Sequence, residues 1–548
     1  MIWLVVLLVI PAAAAVLMFF LYRRRRSRNR QSNSLEDTSV DVPLIAGVDG
    51  QKPVFSQMTD KKLEEFVKGF QLSTQDCRDV MHHIEKQMDS CHTDTDVYRR
   101  PLPQKKVTVN SAFLVVDLGS GNLKIQLVKF KANKKTDVRS HHYNIPQNTR
   151  QSTSIQLFGF IEDCVRKFVK THNMLGKNYR VAFVFSFPCK HSPDLSQAVL
   201  TKWTKEFHCG GFGNRDVREL LQQALPQDKM SCVLDVKIVV NDAVGALVSA
   251  AHDDPSCKLS LVVGNGFYIC YINEQGGNGT QMEFVKAEMG ALSLGDGLAS
   301  FTTEYDKELD KFSMDPGEQI LEKMVSIMYL GEILRLVLVK MSEKRMLFID
   351  KFESSKLKER GSIDADDVSL IENDTTGNHS FTRFVLGKLN LQDCSEEDSR
   401  IVRHVCGVVS ERGAFLAAAG LAALINRMDQ PDMTIAADKP DMTIAADKPD
   451  MTIAADKPNL TIAADKPNLT IAADKPNLTI AADKPNLTIV ADGPSLNIYH
   501  PRFYGLMQSR TEELVQPENK FKLVCSQNAS AIGAARVAEA LPRPPPFP

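Results

Sequence analysis

From residue 111 onward, runs that are apolar at nearly every position alternate with segments whose apolar residues recur three and four apart. AFLVVDL, LKIQLVKF, YRVAFVFSFP, DVKIVVND, LSLVVGNG and FYICYIN have the first pattern and predict strands; IQLFGFIEDCVRKFVKTHN, VRELLQQAL and AVGALVSAA have the second and predict helices. Such alternation implies an α/β architecture with ligand sites at the carboxyl ends of strands. Before it, DKKLEEFVKGF and DVMHHIEKQM predict two surface helices separated by the cap Ser73-Thr74-Gln75. After it, Gly317 to Ser342 and Arg400 to Met428 predict long helices, the second rich in Ala and Gly for close packing.

Two stretches break the alternation. Residues 1–22 include the apolar run Ile2 to Tyr22, interrupted by Pro11 and followed by Arg23, Arg24, Arg25, Arg26, Arg28 and Arg30. Positive charge after the apolar run predicts a transmembrane signal-anchor with the body in the cytosol; a cleaved secretory leader, the alternative, carries its charge before the run. Residues 23–55 are then a basic and polar linker. With the body in the cytosol, the sequons at Asn278, Asn373, Asn378, Asn459, Asn468, Asn477, Asn486 and Asn528 are coincidental.

The second stretch, residues 432–494, repeats the nonapeptide M/L-T-I-A-A-D-K-P-D/N. Each unit is a short β-prone piece and an Asp-Lys-Pro turn. Proline every ninth residue argues against a large solenoid core, so we expect a hairpin expanded into a surface insertion, with a regular β-solenoid as the alternative.

Composition adds little. At 548 residues the chain accommodates two or three domains, and 43% hydrophobic and 24% charged residues are ordinary for a globular protein. A net charge of -1 gives no support for a nucleic-acid partner. The 11 cysteines lack a CxxC pair or a finger spacing, which points to reduced thiols, with Cys270 and Cys525 as small core residues, and assigns no metal-ligating residues.

The candidate chemistry lies at strand ends. Asp117 to Lys124, DLGSGNLK, forms a glycine turn between two strands, and Gly264-Asn265-Gly266 forms another. Such turns expose backbone N–H groups to phosphate, although any hairpin can contain one. SFPC and WTKEF bring Ser186, Thr204 and Lys205, two hydroxyls and an ammonium suited to a polyhydroxylated ligand or simply to a solvated turn. Asp242 follows the apolar DVKIVV and precedes a helix, placed either to accept a proton from a substrate hydroxyl or to serve as an N-cap.

Taken in order, DLGSGN, FSFPCK, WTKEF, VVNDAVGALVSAA, VVGNGFYICYINE, KAEMGA, PGEQILEKMVSIMYLGEILRLVL and CGVVSERGAFLAAAGLAALINRM resemble the hexokinase family, including its glucokinase-like members. The likeness runs from about Asp60 to Ala540, broken by the repeat, which falls before Tyr499-His500-Pro501 where family members carry a hairpin. The resemblance implies a two-lobed, actin-like ATPase fold, with residues 56–240 as N-terminal helices and small lobe and 241–548 as a large lobe that returns to the small lobe at its C-terminus. It also implies Asp242 as the catalytic base and Ser186, Thr204, Lys205, Asn241, Glu288 and Glu322 as sugar-binding residues. ATP with Mg2+ would lie against Asp117, Gly119, Ser120, Gly121, Asn122 and Lys124, against Gly264, Asn265 and Gly266, and against Ser526, Ser530 and Gly533.

The departures are specific. The family's Gly-Gly-Thr-Asn turn is Gly119-Ser120-Gly121-Asn122 here, and a sugar-contacting Asn is Tyr268. Asn-Asp-Thr is Asn241-Asp242-Ala243, and Glu-Trp-Gly-Ala-Phe-Gly is Glu288 to Ser293. The glycine-rich nucleotide loop near the C-terminus has become Asn528 to Ala535, with alanine at two glycine positions. The first expectation is therefore ATP-dependent phosphorylation of a glucose-like hexose at its 6-hydroxyl, at the endoplasmic reticulum or mitochondrial outer membrane or, failing an anchor, in the cytosol. The alternative is a catalytically weakened sugar-binding or regulatory protein of the same fold at an intracellular membrane.

Overall fold

The computed structural model describes residues 60–90, 96–99, 111–119, 122–131, 136–192, 195–226, 232–264, 266–273, 283–291, 299–428, 433–439, 452–454, 470–472, 501–517, 519 and 521–541. The expected membrane segment, the linker and most of the repeat lie outside them.

Helices α1 (Asp60–Val67) and α2 (Thr74–Ser90) precede strands β1 (Asp96–Arg99), β2 (Ala112–Leu118), β3 (Asn122–Lys129) and β4 (Asp137–Asn144). Then come α3 (Gln147–Arg150), α4 (Ser154–Thr171), β5 (Asn178–Phe185), the small hairpin β6 (Cys189–His191) and β7 (Ala198–Leu200), α5 (Val217–Ala224), β8 (Val233–Val240) and α6 (Asp242–Asp253). The second half begins with β9 (Cys257–Val263), β10 (Phe267–Asn273) and β11 (Glu283–Ala287). It continues through α7 (Glu304–Lys311), α8 (Ile320–Val325), α9 (Ile327–Glu343), α10 (Ala365–Glu372), α11 (Ser380–Lys388) and α12 (Glu396–Met428). Strands β12 (Met433–Lys439), β13 (Thr452–Ala454) and β14 (Thr470–Ala472), then α13 (Pro501–Leu514), β15 (Phe521–Gln527) and α14 (Ala529–Ala540), complete it.

Two sheets organise these elements. One has the order β4-β3-β2-β5-β8, with β2, β5 and β8 parallel; the other has the order β1-β11-β10-β9-β12-β15, with β9, β12 and β15 parallel. Alternation along β2 shows how they are covered. Leu114, Val116 and Leu118 join the core under α4 and α5, whereas Phe113 and Val115 join a core shared with α6 and α14. That shared core also takes Tyr268, Cys270 and Ile272 from β10, so α6 and α14 lie between the two sheets. The opposite face of β10, through Phe267 and Ile269, packs into the helical core of α1, α2 and α7 to α13. A strand covered on both faces has no solvent side, and this is why its sequence is an unbroken apolar run.

Close approaches set the helix positions. A Cβ on Gly420 of α12 would lie 2.9 Å from Phe267 Cζ, so glycine seats that helix on β10. A Cβ on Gly533 of α14 would lie 1.8 Å from the carbonyl oxygen of Gly245 in α6, which fixes the crossing of the two inner helices. Among the described residues α12 alone is long and apolar enough to span a bilayer, but 89% of its most apolar stretch is buried, as befits a core helix. Arg412 on α12 is wholly buried and donates from both terminal nitrogens to Asp306 of α7 at 2.6 and 2.7 Å, with its guanidinium 4.6 Å from the Phe70 ring. The bidentate geometry gives both terminal nitrogens a carboxylate oxygen and offsets the burial of the two charges.

Two sequence expectations are corrected here. The N-terminal helices, expected to group with the small lobe up to residue 240, pack instead with α12: Leu63, Val67, Val80 and Ile84 share its core. The first repeat copy is a sheet strand, not part of a surface insertion. Residues 433–439 form β12, hydrogen-bonded between β9 and β15 and parallel to both. Two later copies, β13 and β14, pair parallel with Thr452 opposite Thr470.

Candidate active site

Three parallel strands of the first sheet end side by side. The register sets Asp117 opposite Val184, and Val184 opposite Val240, so the segments that follow β2, β5 and β8 emerge together. The Ser186 N–H donates to the Leu118 carbonyl at 3.3 Å, tying Ser186 to the glycine turn after β2. Asn241 and Asp242 follow β8 directly. The cap of α6 is Asn241, whose Oδ1 accepts from the Ala243 N–H at 3.0 Å, and Asp242 is the first helical residue. The N-cap alternative for Asp242 is thereby answered: its neighbour caps, and its carboxylate stands at the positive end of the helix, where negative charge is favoured.

Both oxygens of Asp242 are engaged. Oδ1 accepts from the Ala243 N–H at 2.9 Å; Oδ2 accepts from Ser186 Oγ at 2.7 Å and from the Tyr268 hydroxyl at 2.5 Å. A carboxylate oxygen approached by hydroxyl donors is placed to accept a substrate hydroxyl in exchange for one of them and to take its proton. Burial first, and the Asp242 charge second, push the Tyr268 phenol well above its usual range, so it stays a donor.

Lys205 enters from a strained turn. It and Glu206 have φ of 59° and 63°, left-handed values that cost roughly 1 to 3 kcal/mol each in a residue with a side chain. The turn stands on Phe187, Trp203 and Phe207, whose rings lie 4.8 to 5.4 Å apart. Buried Lys205 donates to the Ser186 carbonyl at 2.6 Å, with Thr204 buried beside it.

Across from these residues, Glu322 on α8 accepts from the Phe267 N–H at 3.3 Å through Oε2, while Oε1 has no hydrogen-bond partner among the described residues. Its burial pushes the carboxyl up to about 7, with Lys205 pulling the other way. Asn241 Nδ2 and Gln319 Oε1 are likewise buried without partners among the described residues. Glycine makes this side possible. A Cβ on Gly290 would lie 2.5 Å from Glu322 Cβ, and one on Gly266 would lie 2.8 Å from Tyr268 Cε1 and 2.9 Å from Lys205 Cε. Glu288 pairs with Lys286, whose ammonium lies 4.7 Å from the Tyr268 ring.

The structure thus gathers Ser186, Lys205, Asn241, Asp242, Glu322 and Gly266, with Thr204 adjoining and Glu288 joined through Lys286. The residues expected on the nucleotide side divide. The Gly119 N–H donates to the Asn122 carbonyl at 3.1 Å, and Asp117 faces Lys124 across the ladder. Gly264 receives Ser326 Oγ at 2.5 Å and the Ile327 N–H at 2.9 Å on its carbonyl. Ser120, Gly121 and Asn265 lie outside the described residues. Ser526 is in β15, and its side chain lies outside them too. Ser530 and Gly533 are placed differently from the expectation: both are buried in the crossing of α14 and α6, against Gly245.

Sequence reasoning missed three residues. Lys286 is buried two positions before Glu288, a spacing that puts both side chains on one face of an extended chain. Lys323, also buried, donates to Asp310 Oδ1 at 2.7 Å and to the carbonyls of Asp315 and Glu318 at 2.8 Å, bracing the loop before Glu322. Gln319 turns that loop into α8 with a φ of 52°.

Two sequence profiles described as hexokinase match this chain, over residues 62–252 and 258–540. Human hexokinase-1 is 32% identical over 394 residues, 68% of this chain and 42% of the relative. Human hexokinase-2 is 37% identical over 332 residues, 59% of this chain and 35% of the relative. The chain therefore spans about two fifths of the length of the curated relatives it matches. A structure of the hexokinase from Schistosoma mansoni complexed with glucose aligns with a TM-score of 0.68 at 27% identity, covering 88% of this chain and 98% of that one.

Proposed function

Because the chain belongs to the hexokinase family, we propose that it transfers the terminal phosphoryl group of ATP to the 6-hydroxyl of a glucose-like hexose. The observation that carries this reading is Asp242, held at the start of α6 with hydroxyl donors on its outer oxygen. In the proposed reaction the hexose lies against Ser186, Thr204, Lys205, Asn241, Glu288 and Glu322. Its hydroxyls would satisfy Glu322 Oε1 and Asn241 Nδ2, which have no partner among the described residues. Asp242 takes the proton of the 6-hydroxyl as that oxygen bonds to the γ-phosphorus; the bond from γ-phosphorus to the bridging oxygen breaks, and ADP leaves. Mg-ATP enters as one substrate, bordered by the turns that hold Asp117, Gly119, Asn122 and Lys124 and by Gly264 and Gly266. Mg2+ comes with the phosphates; the described residues hold no cluster of three or more His, Cys, Asp or Glu suited to a metal. The apolar run 2–22 and its trailing arginines support an anchored enzyme whose body faces the cytosol.

A weakened, sugar-binding role is the second reading, favoured by the Tyr268 hydroxyl on Asp242. Single-turnover phosphorylation of glucose, fructose and mannose by Mg-ATP, beside the Asp242→Ala variant, decides between them. Transfer that disappears in the variant supports the kinase; hexose binding by calorimetry with no transfer in the parent chain supports the other.

A further inference from the structure

We infer that Tyr268 is an internal competitor for the acceptor hydroxyl, so that a hexose reaches Asp242 only when the phenol has left it. This rests on the kinase reading of the site and adds what controls entry to it.

The first observation is saturation. A carboxylate oxygen accepts about two hydrogen bonds, and Asp242 Oδ2 already has two, from Ser186 Oγ at 2.7 Å and the Tyr268 hydroxyl at 2.5 Å. Oδ1 is turned toward the Ala243 N–H at 2.9 Å. A substrate hydroxyl that is to give its proton to Oδ2 must take the place of one of these donors. Ser186 is held by its backbone, through its N–H to Leu118 and its carbonyl to Lys205. Tyr268 is likewise held by its backbone, opposite Val262 in the ladder of β10 with β9, but its hydroxyl reaches Asp242 from the far end of a long side chain, so it is the donor that a side-chain rotation can displace.

The second observation is occupancy. The Tyr268 ring is 2% exposed and lies between two ammonium groups, Lys205 Nζ at 5.0 Å and Lys286 Nζ at 4.7 Å from its centroid. Its edge fills the space that the missing Gly266 side chain leaves. The phenol presents to the carboxylate what a hexose would present, an O–H donor, while its ring face attracts the two ammonium groups and its edge takes up room beside Gly266. The third observation is that, among the described residues, Glu322 Oε1, Asn241 Nδ2 and Gln319 Oε1 are buried without hydrogen-bond partners. The phenol satisfies the carboxylate and leaves the atoms suited to the remaining sugar hydroxyls unsatisfied.

A site whose open form is one part in ten of the population binds its ligand about tenfold more weakly than the open form does. Calorimetric titration of the full-length protein with glucose, paired with a turnover assay with Mg-ATP, tests the inference in the parent chain, Tyr268→Phe and Tyr268→Asn. We expect about threefold tighter binding in the Phe variant, which loses the hydroxyl, and about tenfold or more in the Asn variant, which also loses the ring. Binding that is unchanged or weaker in both overturns the inference. Should the Asn variant not fold, the nearly isosteric Phe variant decides alone by the same criterion. Tighter binding without turnover in any of the three chains upholds the competitor and overturns the kinase reading, so the two fail separately.

Discussion

The proposed acceptor side and the proposed nucleotide side of this site are built in different ways. On the acceptor side, side chains from β5, β8, β10 and α8 converge on Asp242, Lys205 and Glu322, and the contacts are short and buried. On the nucleotide side, what the structure describes is mainly backbone: the Gly119 turn closed on Asn122 and the Gly264 turn braced by Ser326 and Ile327. Two residues expected there, Ser530 and Gly533, pack α14 onto α6 instead. Side-chain chemistry is sensitive to single substitutions, whereas a turn keeps its hydrogen bonds as long as its backbone can adopt the same angles. In the proposed reaction, departures from family pattern in these turns are therefore expected to matter less than a change at Asp242.

Asp242→Ala should break the acceptor side outright. Turnover in a coupled hexose assay falls about a thousandfold, within the usual range for a general base, while the melting temperature holds. Gly533→Ala sharpens the other half. The new methyl meets the Gly245 carbonyl, so stability falls by ~3 kcal/mol in denaturant unfolding with no selective rise in KM for ATP. A raised KM at unchanged stability would instead return Gly533 to the nucleotide.

Glu322→Gln probes the charge on the acceptor side. The folded carboxyl titrates at about 7 against an ordinary value of 4.5, so between these the native state holds a proton that the unfolded chain has released. Stability thus falls as pH rises through this window, and the burial penalty is complete above it. Thermal unfolding between pH 4.5 and 8 should show a decline on the order of 3 kcal/mol that the Gln variant lacks. Arg400→Ala is the control at the periphery. Its exposed pairs with Glu397 and Asp60 contribute less than about 1 kcal/mol, so neither stability nor turnover should move measurably.

The layered fold was legible because strands between two helical layers read as continuous apolar runs. Asp242 and Ser186 were legible because they follow strand ends inside recognisable motifs, and Lys205 because it stands in one such motif on a turn. Lys286 and Lys323 were not. A single lysine in a strand or a short helix looks solvated until the fold closes over it, and Lys323 reaches carbonyls and a carboxylate that only the loop geometry brings near. Tyr268 was visible as bulk, but its hydrogen bond to Asp242 depends on β10 facing α6, a tertiary fact. The repeat misled for another reason: identical units give no local sign of which one enters a sheet.

That sameness has a genetic consequence. The heptapeptide Thr-Ile-Ala-Ala-Asp-Lys-Pro occurs six times, and excising residues 433–441 would join Asp432 to Met442, recreating the same octapeptide, Met-Thr-Ile-Ala-Ala-Asp-Lys-Pro, after the same aspartate. The strand between β9 and β15 would keep its sequence, and the closure entropy of the connection changes only slowly with length. A tandem coding repeat placed here can expand or contract in steps of nine residues without the core sheet registering the event, so length variation among alleles is expected to be neutral for the fold.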